Sequence, residues 1–240
     1  MRILYTLLLY LLVPLVLLRL AWRGLRAPAY WRRWPERFGL IEPALGERVI
    51  WIHAVSVGEV QAAVPLVRAL LEKYPEYSLL LTTVTPTGSA LVTARFGDEV
   101  AHVYAPYDLP GAVRRFFQRT RPQLAIIMET ELWPNLFHAC RTRRVPLLLV
   151  NARLSARSVA GYRRVKSLVA QTLANVTGIA AQGGADAARF LQLGAPPECV
   201  IVSGNLKFEQ RIPPGLLERA AVLRRDWGTD RPVWVAASTH

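Results

Sequence analysis

From residue 48 onward, short apolar runs alternate with longer amphipathic stretches. The short runs are apolar at consecutive positions, which is typical of strands that are buried on both faces. Seven strands are predicted, at 49–55, 78–84, 101–106, 124–129, 146–152, 178–182 and 200–205. The stretches between them have the length and periodicity of helices. The alternation predicts a mostly parallel sheet wrapped by helices, a Rossmann-like α/β domain over residues 49–230.

The first 21 residues are almost uniformly apolar and predict one membrane-spanning helix. Residues 3–18 read ILYTLLLYLLVPLVLL, and about 20 such residues span a hydrocarbon core of about 30 Å. Pro14 is tolerated in a membrane helix. A cleaved signal peptide is the alternative, but the apolar run is long and no small-residue cleavage site follows it. The sequence therefore favours an anchor that stays attached.

Residues 22–48 form a basic segment that also contains tryptophans. The basic and indole side chains from the end of the anchor onward are Arg19, Arg23, Arg26, Arg32, Arg33, Arg37, Trp22, Trp31 and Trp34. Only Arg2 lies on the other side of the apolar run. The positive-inside rule predicts a single pass through the membrane, with the body of the chain facing the cytoplasm. We expect the segment to lie on anionic lipid, with a solvated loop as the alternative.

The net charge of +13 comes from arginine, because only three of the thirty basic residues are lysines. Genomic base composition explains this preference as well as contact with an anionic partner does. Charge is the only feature that points to nucleic acid, since no aromatic-basic RNA motif or helix-turn-helix pattern accompanies it. We therefore expect no nucleic-acid partner.

Cysteine spacing and glycine motifs exclude several kinds of site. The two cysteines, Cys140 and Cys199, lie far apart and outside any His/Cys cluster, which argues against a disulfide framework or a zinc site. The sequence lacks GxGxxG and a Walker lysine, so a conventional dinucleotide or nucleoside triphosphate grip is not predicted. No cofactor and no metal ion are expected.

Polar side chains follow five of the predicted strands at the points where the strands end. In an open parallel sheet, ligands bind in the crevice outside the carboxyl ends of the strands. The candidate binding residues at these ends are Ser56, Gly58, Glu59, Thr87, Ser89, Glu129, Glu131, Asn151, Arg153, Asn205 and Lys207.

Glu59 follows the first strand in the stretch Ser-Val-Gly-Glu. Ser56 is placed to cap the next helix, and Gly58 lets its backbone approach a ligand. Glu59 then falls in the first helical turn, where the helix dipole favours the ionised carboxylate. An ionised carboxylate at a crevice is a candidate general base for a hydroxyl nucleophile. The alternative is an acid that only stabilises the helix start.

Other candidates have structural alternatives as well. Glu129 and Glu131 face opposite ways if the strand continues through them, and pairing with arginine is their alternative role. Thr87 and Ser89 suit a phosphate or a sugar hydroxyl, although helix capping explains them equally well. His53, inside the first strand, is expected to be a packed, hydrogen-bonded histidine.

Eight motifs, taken together and in order, resemble one family: the 3-deoxy-D-manno-octulosonic acid (Kdo) transferases of lipopolysaccharide synthesis. The motifs are HAVSVGEV (53–60), TVTPTGSA (83–90), YAPYDLP (104–110), METELWPN (128–135), NARLSARS (151–158), AQGGADAARFLQLGA (181–195), SGNLKFE (203–209) and AASTH (236–240). The resemblance extends from about residue 22 to residue 240.

The resemblance implies a GT-B glycosyltransferase, with two Rossmann-like domains and an active site between them. Such enzymes move Kdo from CMP-Kdo to a hydroxyl of the lipid A precursor lipid IVA, with inversion and without a metal. The glutamate of the first motif is the base, which is Glu59 here. The resemblance implies a location at the bacterial inner membrane. It implies binding of the acceptor or another part of the substrates at Ser56, Gly58, Thr87, Ser89, Glu129, Glu131, Asn151 and Arg153. It places a donor side at Asn205, Lys207, Ser238, Thr239 and His240.

The end of the chain departs from the family pattern. Residues 231–240 read as the first strand of a second, donor-binding domain that should follow and is absent from this chain. We therefore expect this polypeptide alone to be nearly inactive. A non-catalytic module that is tethered to the membrane and binds anionic lipid remains the alternative function.

Overall fold

A parallel sheet forms the centre of the molecule. The computed structural model describes residues 1–42, 45–209, 215–234 and 236. Its strands are β1 (Val49–His53), β2 (Ser78–Thr83), β3 (Ala101–Tyr104), β4 (Leu124–Met128), β5 (Leu147–Ala152), β6 (Gly178–Ala181) and β7 (Val200–Val202). Each predicted strand is therefore present, although most end one to three residues earlier than predicted.

The strand order is β3-β2-β1-β4-β5-β6-β7, and each neighbouring pair is parallel. The chain builds outward from β1 to β3, then returns to the centre and builds the other way from β4. The order thus reverses between β1 and β4, which is the topological switch point of a doubly wound sheet. The predicted Rossmann-like fold is confirmed.

Nine helices lie within the described residues, and those between the strands cover both faces of the sheet. The nine helices are α1 (Arg2–Arg26), α2 (Val57–Lys73), α3 (Pro86–Phe96), α4 (Pro110–Thr120), α5 (Pro134–Thr142), α6 (Ala156–Arg163), α7 (Lys166–Leu173), α8 (Gly184–Gln192) and α9 (Leu216–Asp226). Three 3-10 turns, Pro28–Trp31, Trp34–Phe38 and Leu206–Glu209, matter for the site and its flank.

The core has two layers, one on each face of the sheet. Trp51 of β1 packs against Phe116 of α4, with 4.9 Å between ring centroids, and donates its indole N–H to Thr82 Oγ1 at 2.9 Å. Its neighbours Ile50 and Ile52 belong to the opposite layer, beneath α2. Successive side chains point to opposite faces, so a strand covered on both sides must be apolar at every position.

The basic segment 22–48 only partly matches the expected lipid-facing stretch. Arg37 is 3% exposed and donates to the Val84 carbonyl at 2.9 Å, with its guanidinium 4.4 Å from the Tyr104 ring centroid. Arg33 donates to the His102 carbonyl at 2.8 Å. These two arginines fold onto the domain, which corrects the expectation that the whole segment lies on lipid. Arg23, Arg26, Arg32 and Arg48 of the segment are exposed, and so is Arg19 just before it.

Beyond β7 the described chain packs little against the sheet. The predicted helix is present as α9, and none of its residues is buried. Residues 231–234 and 236 have no regular structure. The strand expected in 231–240 falls largely on residue 235 and residues 237–240, including Ser238, Thr239 and His240, which lie outside the described residues. That strand stays a prediction.

Candidate active site

Two loops meet where the strand order reverses. One connects β1 to α2 and carries Ser56, and the other connects β4 to α5 and carries Glu129 and Glu131. Because β1 and β4 are hydrogen-bonded neighbours, with His53 beside Ile127, both loops leave the same edge of the sheet side by side. This is the position at which open α/β sheets bind ligands.

Local hydrogen bonds hold the Glu59 carboxylate at the start of α2. Ser56 is the N-cap residue, and its Oγ accepts from the Glu59 backbone N–H at 3.4 Å. The carboxylate turns back: Oε2 accepts from the Val55 N–H at 2.8 Å, and Oε1 accepts from the Ser56 hydroxyl at 3.0 Å. This is a variant of the capping box. The helix-stabilising role is therefore present, and the same bonds fix the carboxylate at the sheet edge where the two loops meet.

Glu59 titrates near neutral pH, which corrects the expectation that the helix dipole keeps it ionised. The residue is 8% exposed, and burial raises the pKa of its carboxyl to about 7. Hydrogen bonds from Val55 and Ser56 lower the pKa, whereas the charges of Glu131 and Glu129 raise it. Burial disfavours the charged form of the carboxyl, and this effect on the pKa is larger than the opposing effect of the two hydrogen bonds. A pKa near the working pH is what general base catalysis requires.

Glu129 and Glu131 lie beyond the end of β4, so the alternation of a strand does not separate them. Glu129 has a left-handed backbone, with φ 55°. Glu131 Oε2 accepts from the Trp133 indole N–H at 2.9 Å, and burial raises the pKa of its carboxyl. Within the described residues neither glutamate pairs with an arginine. Among all the residues that the structure describes, no group of three His, Cys, Asp or Glu side chains is placed to hold a metal ion.

A ring contact between Trp133 and His53 links the β4–α5 loop to the end of β1. The rings meet edge to face, with centroids 5.8 Å apart. His53 is buried, its Nδ1 lies 2.8 Å from Thr82 Oγ1, and burial lowers the pKa of its imidazole to about 4. It is therefore the neutral, packed histidine that the sequence predicts. The sequence did not single out Trp133, although its position directly after the Glu-Thr-Glu stretch was a usable signal.

Asn151 lies beneath a loop rather than on the crevice surface. It is buried at the end of β5 with φ 56°, where the β5–β6 register shifts. Its Oδ1 accepts from the Leu206 N–H at 3.1 Å, and its buried Nδ2 has no hydrogen-bond partner among the described residues. Asn151 thus holds the turn that carries Lys207. The neighbouring Arg153 side chain is exposed, and its carbonyl accepts from the Thr130 hydroxyl.

Comparison with known proteins identifies the family. Residues 32–210 match the family described as 3-Deoxy-D-manno-octulosonic-acid transferase (kdotransferase). The chain belongs to this family. It is 44% identical over 241 residues to the 3-deoxy-D-manno-octulosonic acid transferase of Haemophilus influenzae, covering 100% of this chain and 56% of that protein. The 3-deoxy-D-manno-octulosonic acid transferase of Bordetella pertussis is 39% identical, and the match covers 98% of this chain and 56% of that protein. The chain spans about half the length of these Kdo transferases.

Solved structures of low sequence identity share the fold alone. A UDP-GlcNAc 2-epimerase from Neisseria meningitidis superposes with a TM-score of 0.51 at 12% identity, covering 75% of this chain and 54% of that one. Anabaena HepE in complex with UDP superposes with a TM-score of 0.53 at 14% identity, and the match covers 75% of this chain and 50% of that chain. In each case the similar region is about half of the solved chain. These neighbours support the Rossmann-like architecture that the Kdo transferase motifs imply.

Two of the predicted substrate-binding residues, Thr87 and Ser89, follow β2, on the side of β1 away from β4. The α3 cap is Thr85, whose Oγ1 accepts from the Gly88 N–H at 3.1 Å. Thr87 is exposed, and its hydroxyl donates to Thr85 Oγ1 at 3.3 Å. Ser89 Oγ accepts from Arg33 at 3.2 Å. Thr87 is therefore on the surface, while Ser89 already binds Arg33 of the basic segment.

The two residues predicted for the donor side that the structure describes, Asn205 and Lys207, lie after β7. The Asn205 side chain accepts from the Lys207 backbone N–H at 3.0 Å, and the Lys207 side chain is exposed. Next to it, Phe208 is 87% exposed. Asn205 thus shapes the turn in this Kdo transferase chain, and Lys207 presents its ammonium group to solvent.

Proposed function

We propose that this chain is the acceptor-binding half of a Kdo transferase. The enzyme transfers Kdo from CMP-Kdo to a hydroxyl of the lipid A precursor lipid IVA, in lipopolysaccharide synthesis at the cytoplasmic face of the inner membrane. The family match over residues 32–210 and the names of the relatives support this proposal. The substrates follow from the family and not from a bound molecule.

Glu59 is the general base of the proposed reaction. The acceptor hydroxyl gives its proton to the carboxylate as its oxygen bonds to the anomeric carbon of Kdo. The bond from that carbon to the phosphate breaks in the same displacement, and CMP leaves with the electron pair. The observation that carries this assignment is a carboxylate with a pKa of about 7, fixed at the switch point of the sheet.

The two Glu59 oxygens are suited to different tasks. Oε2 is held by a backbone N–H that cannot move away, that of Val55. Oε1 is held by the hydroxyl of Ser56, which rotates freely about its C–O bond and can turn aside. An acceptor hydroxyl can replace Ser56 at Oε1 while Val55 keeps the carboxylate oriented. Oε1 is therefore the proposed proton acceptor.

Transfer itself is the first test of the proposed function. The full-length protein, incubated with CMP-Kdo and the tetraacylated disaccharide precursor, should release CMP and add the mass of Kdo to the lipid. The piece 1–240 alone should show no transfer, because the relatives extend well beyond it. Full-length protein that leaves the lipid mass unchanged under these conditions would refute the proposed reaction.

Gly58→Ala should weaken acceptor binding without destabilising the fold. Gly58 is exposed in the first turn of α2, and a Cβ there would have its nearest neighbour, Ser56 Oγ, at 3.9 Å. Alanine also favours helix by up to about 1 kcal/mol. We expect an unchanged or raised free energy of unfolding and a several-fold higher KM for the acceptor. Gly161→Ala, at an equally open and exposed site in α6, is the matched control. Equal KM values for the two variants would exclude close approach at Gly58.

A lipid-binding module without catalysis is the second candidate, favoured by the exposed apolar face of α1. Sedimentation with anionic liposomes separates the two functions. A pure lipid binder keeps its affinity and shows no transfer, whereas the proposed enzyme does both. Neutralising the exposed arginines of the basic segment should reduce sedimentation in either case.

A further inference from the structure

One face of α1 lies against the domain from Arg2 to about Leu17, and the turn that follows the helix covers the same face near Gly24. Buried and half-buried positions recur every three or four residues, as expected for a single stripe. The stripe consists of Arg2, Tyr5, Thr6, Leu9, Val13, Leu17, Leu20 and Gly24. A helix that left the domain to cross a bilayer would have such a stripe at only one of its ends.

The first turns of α1 are fixed to the domain by side-chain hydrogen bonds. Arg2 Nη1 and Thr6 Oγ1 each donate to Asn135 Oδ1 at 3.1 Å. The Tyr5 hydroxyl donates to Asp108 Oδ2 at 3.0 Å. Asn135 and Asp108 are both buried, and they bond to each other through the Asn135 backbone N–H. The polar residues of an otherwise apolar helix thus match polar groups on the domain.

The middle and the end of the helix are also covered. Leu9 and Val13 face Leu109 and Trp133 across a narrow apolar cavity. At the other end, the Trp31 indole lies over Gly24, where a Cβ would come within 1.8 Å of the ring. Its Nε1 donates to the Ala21 carbonyl at 3.0 Å. The N-terminal end and the middle of α1 therefore contact the body of the protein, and its last turns contact the segment that follows the helix.

α1 is long and apolar enough to cross a membrane, but these contacts argue against a transmembrane orientation. The 25 residues of α1 span about 37 Å at 1.5 Å per residue, and a hydrocarbon core is about 30 Å thick. If α1 crossed the bilayer, Arg2 would lie on the opposite side from Asn135. We infer that α1 lies in the plane of the membrane, with its outer face inserted into the acyl-chain layer of a single anionic leaflet.

The outer face of α1 has the chemistry that such a leaflet requires. Its apolar side chains are each more than half exposed: Ile3, Leu4, Leu7, Leu8, Leu11, Leu15, Leu18, Trp22 and Leu25. Four exposed arginines lie around the C-terminal end of this face: Arg19, Arg23, Arg26 and Arg32. An apolar face bordered by arginine and tryptophan is typical of helices that lie at the interface of anionic membranes.

The in-plane helix lies beside the candidate site. Trp133 contacts the cavity under α1 on one side and donates to Glu131 on the other. A lipid-linked hydroxyl would then reach the crevice of Glu59 without leaving its leaflet. The inference rests on the proposed membrane location, but it does not depend on the proposed transfer reaction.

Cysteine labelling from each side of the membrane tests this orientation. The full-length protein carries Cys199→Ser and a short cysteine tag before Met1, or Lys73→Cys on the exposed end of α2, and Cys140 is buried. A membrane-impermeant maleimide is applied to spheroplasts and to inside-out vesicles. If α1 lies in the plane of the membrane, the N-terminal cysteine tag and Lys73→Cys should be labelled from the same side of the membrane. Labelling from opposite sides would show a crossing helix and overturn the inference.

A disulfide test does not depend on label access. Thr6→Cys combined with Asn135→Cys should form a cross-link under mild oxidation in the membrane, detected as a linked peptide by mass spectrometry. Leu7→Cys with Asn135→Cys is the matched control, because Leu7 is on the outer face. Cross-linking of neither pair in folded protein would contradict the docked helix. Neither experiment measures Kdo transfer, so a failed reaction and a failed orientation give different results.

Discussion

Replacing Glu59 with glutamine in the full-length Kdo transferase should lower kcat by about 100-fold or more. Glutamine has the shape of glutamate, and its amide oxygen can still accept from the Val55 N–H. The amide cannot accept the proton of an attacking hydroxyl at neutral pH. The variant also removes a carboxyl whose pKa burial has raised, so we expect no loss of stability. The measurement is the single-turnover rate with CMP-Kdo and lipid IVA.

Glu99→Gln is the matched control for charge and composition. Glu99 forms an exposed ion pair with Arg68, at the opposite end of α3 from the crevice. The control should transfer Kdo at close to the unmodified rate. If Glu59→Gln is folded and its rate stays within a few-fold of that control, Glu59 is only a helix cap and the proposed base is wrong.

Asp108→Ala should lower the free energy of unfolding by about 2–5 kcal/mol, because it removes the acceptor of two buried N–H groups. Asp108 is 4% exposed and accepts from the backbone N–H groups of Asn135 and Leu136, at 3.0 and 2.7 Å. It therefore caps α5 from a neighbouring loop. It also accepts from Tyr5, so the variant should loosen α1 as well.

Urea unfolding of matched variants measures this effect. Asp98→Ala removes an exposed aspartate and should change the free energy of unfolding by less than about 0.5 kcal/mol. Asp108→Asn keeps one acceptor oxygen, so its free energy of unfolding should lie between those of Asp108→Ala and Asp98→Ala. An Asp108→Ala protein as stable as Asp98→Ala would show that the α5 N–H groups find other partners.

The fold was predictable because a strand buried on both faces must be apolar at consecutive positions. Trp51, with Ile50 and Ile52 on either side of it, shows the pattern directly. The strand ends were predictable for a related reason, since parallel strands bring their carboxyl ends to one edge. Ser56, Glu59 and Glu131 therefore lie where the sequence places them.

The ionisation of Glu59 and the position of Asn151 were not predictable from the sequence. Helix position alone suggests an ionised Glu59, but the burial that raises its pKa depends on how two loops meet. Asn151 follows a strand like the other candidates. A register shift and a left-handed backbone turn its side chain under the Leu206 turn. Both outcomes are set by tertiary packing.

The basic segment shows the same limit. Arg33 and Arg37 belong to a run that reads as lipid-facing, yet both guanidinium groups lie over the Tyr104 ring. That partner is on β3, about 70 residues away in the chain. A charge pattern cannot distinguish an arginine that faces lipid from one that stacks on a distant aromatic ring.

The pH dependence of Kdo transfer tests the central claim most directly. Protonated Glu59 cannot accept a proton, so kcat should rise with pH through an apparent pKa near 7 and level off above it. Glu131→Gln removes a negative charge that raises this pKa, so the rise should move to lower pH. Rates that are constant from about pH 5 to 8 in the unmodified enzyme, or a rise that Glu131→Gln leaves in place, would contradict a Glu59 base in this crevice.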